Sequence, residues 1–109
     1  YNNGIAYAPI LRYIQSHYTT ITLSELSKIF HYSVPYLSKI IKETTDQSFS
    51  SVVRKLKMRA AVQLLETTND SIEKIAEDVG YNSSDHFYRV FTDYYGMSPT
   101  KYRKIHQET

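Results

Sequence analysis

Residues 49–67, FSSVVRKLKMRAAVQLLET, decide how the rest of the sequence is read. Phe49, Val52, Val53, Leu56, Ala60 and Leu64 recur largely at steps of three and four, so a 3.6-residue period lines them along one side of a long amphipathic helix. Asp46 and Ser48 mark its start, and the run from Thr67 to Asp70 marks its end. Segments of similar pattern lie on both sides of this helix.

On the N-terminal side, Thr22 and Glu25 have capping-box spacing and are followed by Leu26, Ile29 and Phe30, which predicts a helix from Leu23 to about His31. After a turn at His31 and Tyr32, Ser33 caps a helix reaching Thr44, with Pro35 in its first turn and Leu37, Ile40 and Ile41 on its apolar face. Two short helices joined by so tight a turn form a helix-turn-helix unit. Ahead of them, residues 8–18 read as a structural helix with Pro9 in its first turn and Ile10, Tyr13, Ile14 and Tyr18 on one face, and residues 1–4 as a frayed lead-in.

The pattern then returns on the C-terminal side. Asp70 reads as an acid cap with Glu73 behind it, and Ile72, Ile75, Ala76 and Val79 form an apolar face that Gly80 ends. Ser83 caps a helix with Phe87, Val90 and Phe91 turned inward, ending at Gly96, and Ser98 and Pro99 open a last short helix through Tyr102. The halves superpose in sequence. Leu23, Leu26, Phe30 and Tyr32 match Ile72, Ile75, Val79 and Tyr81 at an offset of 49, while Leu37, Lys39 and Ile41 match Phe87, Arg89 and Phe91 at an offset of 50. This internal duplication predicts an all-α fold of about seven helices: two helix-turn-helix subdomains, residues 8–48 and 70–106, joined by the linker helix 49–67 within one domain, 1–109.

Composition narrows the function. At 109 residues each half alone would be marginally stable, so the shared helix is expected to stabilise both. No cysteine is present, which excludes disulfides and thiolate metal sites and permits an intracellular home. No apolar run approaches the ~18 residues of a membrane span, and no signal peptide opens the chain. The start at Tyr1 rather than methionine reads as a processed form or a piece of a longer protein. Net charge is +2 but uneven: residues 33–67 carry six bases against three acids, and residues 68–97 carry two bases against six acids. A basic middle and tail suit a polyanion, while the acidic segment argues against indiscriminate phosphate binding.

In a helix-turn-helix the second helix offers its N-terminal, solvent-facing side chains to base edges. The first reader then presents Pro35, Tyr36, Ser38, Lys39 and Lys42: Lys39 for a guanine edge or a phosphate, Ser38 for several bases, Pro35 and Tyr36 for a thymine methyl or the backbone. The second presents Ser84, Asp85, Tyr88 and Arg89. Asp85 has two roles open to it, accepting from cytosine N4 or favouring the helix dipole while pairing with Arg89 four residues on. Ser33, Asn82 and Ser83, at helix N-termini, serve as caps or phosphate contacts, and Arg54 is a phosphate candidate among the bases spread around the linker helix. His17, His31, His86 and His106 lack metal-ligand spacing, and no phosphate loop or nucleophile elbow appears, so no enzyme, metal or cofactor is expected.

The stretch from Ser71 to Arg103 closely resembles the C-terminal signature of AraC/XylS-type bacterial transcription regulators, through Ile72, Ile75, Ala76, Val79, Gly80, Tyr81, Ser83, Phe87, Arg89, Phe91, Gly96, Pro99, Tyr102 and Arg103. Upstream, TLSELSKIF, SVPYLSKIIKE, Ser48, Phe49, Ala61, Leu64 and Leu65 fit more loosely. The resemblance implies a seven-helix DNA-binding domain whose two readers enter adjacent major-groove segments of double-stranded promoter or operator DNA. At ~1.5 Å per residue the linker helix would be roughly 28 Å long, against ~34 Å per turn of duplex. It further implies a cytoplasmic, nucleoid-associated regulator, most commonly an activator that can contact RNA polymerase, with a sensing or dimerisation domain outside this fragment. His31 and Asp46 stand where the family tends to have glycine, which predicts slightly strained or differently shaped turns; Thr92 and Asp93 stand where it tends to have bases, and with Asp85 and the acidic segment 68–97 they lead to the expectation that the second unit binds more weakly than the first. The alternative from another class is a protein-interaction module docking on RNA polymerase or another regulator through the acidic helix 72–79, with no DNA readout of its own.

Overall fold

The computed structural model describes residues 2–107, with side chains from Tyr7 to Gln107. Among them it shows seven helices and no strand: α1 Asn2–His17, α2 Leu23–Phe30, α3 Val34–Thr45, α4 Phe49–Thr67, α5 Ile72–Asp78, α6 Ser84–Tyr95 and α7 Pro99–Gln107. This is the expected all-α architecture. None of the described helices is long and apolar enough to cross a membrane.

Local chemistry fixes most of the boundaries. The box before α2 is closed in both directions: Thr22 Oγ1 accepts from the Glu25 amide at 3.1 Å, and the Thr22 amide donates to Glu25 Oε1 at 3.2 Å. Ser33, Ser48, Ser83 and Ser98 each accept an amide proton three residues on, at 3.1–3.2 Å, opening α3, α4, α6 and α7. At the other ends, α2 closes on His31 at φ 61°, α3 on Asp46 at φ 60° and α6 on Gly96 at φ 77°. His31 and Asp46 thus take up the left-handed conformation that glycine serves at such positions, so the turns keep their shape despite the substitution.

Several expectations are corrected. α1 begins at Asn2, so Pro9 lies inside it rather than in its first turn, and the carbonyl four residues earlier loses its helical donor. Tyr1, part of the predicted lead-in, lies outside the described residues. Ser71, not Asp70, caps α5, its Oγ accepting from the Lys74 amide at 3.1 Å. α7 runs to Gln107, well past Tyr102, because Arg103 and Gln107 both donate to carbonyls at the end of α4.

The chain divides inside α4 into two compact units, Tyr1–Leu56 and Lys57–Thr109. Ile10 and Ile14 of α1, Leu26 of α2 and Leu37, Ile40 and Ile41 of α3 form the first core with Val52 and Val53 of α4. Met58, Ala61 and Leu65 of α4 form the second with Ile75, Ala76, Val79, Phe87 and Phe91. The expected stripe holds through Leu56, but beyond it the fully buried residues are Met58, Ala61 and Leu65, which the stripe omits, while its Ala60 and Leu64 are only partly buried against the second core. Each half of the helix answers to its own core.

Candidate nucleic-acid interface

In the first unit α3 is anchored by Leu37, Ile40 and Ile41, each no more than 1% exposed, which fixes the opposite face outward. Pro35, Tyr36, Ser38, Lys39 and Lys42 are all exposed there. Ser38, Lys39 and Lys42 share a depression with Leu23, Ser48, Phe49 and Ser50, so the reader's basic side chains meet the N-terminus of α4. Lys42 Nζ lies 3.4 Å from the Asp46 carbonyl, and Tyr36 packs its ring 5.0 Å from that of Tyr32, leaving Ser38 and Lys39 as the freest candidates on the face. Ser33 Oγ is occupied as a cap. Arg54 is exposed, its Nη2 donating to Ser51 Oγ at 3.2 Å, and does not line the depression.

In the second unit Phe87 and Phe91 are fully buried and hold α6 in the same way. Asp85, Tyr88 and Arg89 are exposed, with Thr92 and Asp93 completing one depression; Ser84, half-buried, joins Asp85, Tyr88, Ile72, Glu73 and Thr100 in a second that adjoins it. Asn82 is exposed beside the capping Ser83. The expected Asp85–Arg89 ion pair does not form: among the described residues the ion pair present is Lys74–Asp78, at 3.2 Å. An exposed pair of this spacing gains only about 0.3–0.5 kcal/mol, so spacing alone permits such a pair, as at Lys74–Asp78, without enforcing it at Asp85 and Arg89. The hydrogen bond to Asp78, then its charge, raise the pKa of Lys74, so the cation on α5 is already engaged while the guanidinium of Arg89 is not.

The bases of α4 separate by role. Lys57 is turned inward, donating to the Gly80 carbonyl at 3.2 Å with its ammonium 4.7 Å from the centre of the Tyr81 ring. Burial lowers its pKa. It therefore secures the turn between α5 and α6 and is unavailable to a polyanion. Ser48, Ser50 and Thr100 are lining residues that the sequence reading did not single out for this face. The signal was present: at the same offset of 50, Ser48 and Ser50 correspond to Ser98 and Thr100. Among the described residues no group of three or more His, Asp or Glu is placed to hold a metal ion.

A family profile described as a helix-turn-helix domain matches residues 26–105, from the middle of α2 to near the end of α7. An uncharacterized HTH-type transcriptional regulator of Bacillus subtilis, YisR, is 35% identical over 95 residues, covering 86% of this chain and 33% of that protein. The chain spans about a third of the length of the curated relatives it matches first. The C-terminal domain of the two-component response regulator yesN from Fusobacterium nucleatum superposes with a TM-score of 0.86 at 34% identity, over 90% of this chain and 97% of that one. The DNA-binding domain of AdpA, solved in complex with a target DNA, shares the fold at a TM-score of 0.86, with 20% identity over 93% of this chain and 92% of that one.

Proposed function

This chain belongs to the AraC-type family of helix-turn-helix domains, and from that premise we propose that it is the part of a transcription regulator that binds double-stranded DNA sequence-specifically, with α3 and α6 in adjacent major-groove segments. The observation that carries the reading is the repeated reader. In both units the second helix of the motif is pinned by two buried apolar residues, Leu37 and Ile41 or Phe87 and Phe91, and presents an exposed base at the same step between them, Lys39 or Arg89. On α3, Pro35, Tyr36, Ser38, Lys39 and Lys42 face base edges; on α6, Ser84, Asp85, Tyr88 and Arg89 do so. Ser33, Asn82, Ser83 and Arg54 lie toward the phosphates. The first unit supplies most of the affinity, because its lining is basic where that of the second is largely acidic.

Titration of a labelled duplex over a series of salt concentrations tests this. The logarithm of affinity should fall with the logarithm of salt at about −0.9 per phosphate contact, and Lys39→Ala should cost more than Arg89→Ala. Equal losses from the two variants would refute the ranking of the units. A second reading is favoured by Glu73, Glu77 and Asp78, all exposed on α5: this face docks on RNA polymerase or another regulator, and activation follows from that contact. If docking were the whole function, no duplex would be bound at any salt.

A further inference from the structure

The two units carry the same depression with opposite charge. In the first it is lined by Leu23, Ser38, Lys39, Lys42, Ser48 and Ser50, with Phe49, and no acid. At offsets of 49 and 50 the counterparts Ile72, Tyr88, Arg89, Thr92 and Thr100 line the adjoining depressions of the second, but there Glu73, Asp85 and Asp93 surround the single Arg89. A phosphate is attracted to the first and repelled by the second. What the second face retains is polar readout.

Asp85 and Arg89 lie one helical turn apart on the exposed side of α6, line one depression and are not joined to each other among the described residues. Asp85 sits in the first turn of α6, at the end of the helix that a reader offers to base edges. An ionised carboxylate only accepts hydrogen bonds, so guanine N7 and O6 and thymine O4 oppose it, and adenine sets its N6 donor beside the N7 acceptor. Cytosine N4 is the major-groove donor without that penalty, while the fork of Arg89 matches guanine O6 and N7. Four residues of helix rise about 6 Å, between one and two base-pair steps of ~3.4 Å. Resting on the DNA-binding reading above, we propose that the second reader recognises a cytosine through Asp85 and a guanine through Arg89, one or two base pairs apart, and contributes sequence discrimination more than affinity.

Selection from a randomised duplex pool by the 109-residue chain, followed by sequencing of the bound fraction, tests the proposal against the Asp85→Asn variant. The wild type should enrich a cytosine and a guanine at that spacing in one half of its site. Asp85→Asn should lose the cytosine preference by roughly tenfold, or exchange it for adenine, with the guanine preference unchanged and the fold retained, the thermal unfolding temperature falling by no more than a few degrees from the lost first-turn charge. If the variant enriches the same bases, or the wild type enriches a site with no cytosine in that half, Asp85 does not read DNA and its face serves another partner. If the wild type enriches no duplex at any salt, the DNA-binding reading itself falls.

Discussion

Replacing Arg103 with alanine tests how the second unit is closed. Its Nη1 donates to the Asp70 carbonyl at 2.6 Å, Nη2 to Thr68 at 3.2 Å and Nε to Leu65 at 3.3 Å. These carbonyls lie at and just beyond the end of α4, where intrahelical donors have run out and a cation opposes the negative end of the helix dipole. A hydrogen bond from a charged donor contributes about 1.5–3 kcal/mol when sealed from water. Arg103 is half-buried, and Gln107 Nε2 reaches two of the same carbonyls at 3.1 Å, so the low end for two of the three bonds is appropriate, giving about 3 kcal/mol. At about 4–8 °C per kcal/mol the melting transition of the second unit should fall by at least ~12 °C, read by far-UV circular dichroism. Arg103→Lys, which keeps the charge but loses the fork, should fall between the two. A loss below about 0.5 kcal/mol for Arg103→Ala would show that water or Gln107 replaces the guanidinium and would refute this account of the closure.

Other substitutions follow from the same geometry. His31→Gly should stabilise the first unit by about 0.5–1 kcal/mol, because relief of the left-handed backbone outweighs glycine's greater freedom when unfolded, whereas His31→Val should destabilise it in the same urea titration. Burial, then the hydrogen bond to Glu66 at 2.7 Å, push the Tyr102 hydroxyl up to about 12. The unfolded chain therefore ionises first, so stability holds below pH ~10 and declines toward 12; in melts across that range Tyr102→Phe should show a shallower decline. Lys57→Met should cost about 1 kcal/mol of stability and leave the salt dependence of DNA binding unchanged. Arg54→Ala should do the reverse, lowering the salt slope by about 1 with stability within about 0.5 kcal/mol of wild type.

What was legible in the sequence was what short-range chemistry dictates. Thr22 with Glu25, Ser33, Ser83 and Gly96 act within a few residues of themselves, and each does in the fold what its spacing predicts. The apolar faces of α3 and α6 were readable because each packs on one core. On α4 the stripe reached only the partly buried Ala60 and Leu64 beyond Leu56 and missed Met58, Ala61 and Leu65, because the helix serves two cores and a stripe extrapolated from the first cannot know where the second begins. The length of α7 was hidden for a related reason: Arg103 and Gln107 find their acceptors more than thirty residues earlier in the chain. Asp85 and Arg89 illustrate the opposite error, since a spacing that permits an ion pair does not enforce one on an exposed face. Lys57 could be counted as basic from its letter, but only the fold shows that its charge is used within the protein.

Hydroxyl-radical footprinting on a selected duplex tests the two-reader account most directly. Protection should appear at two patches about one helical turn, ~10 base pairs, apart on one face of the DNA, with Lys39→Ala weakening both because the first unit supplies most of the affinity. A single patch, lost on Lys39→Ala and indifferent to Arg89→Ala, would contradict it and leave α6 as a surface for something other than DNA.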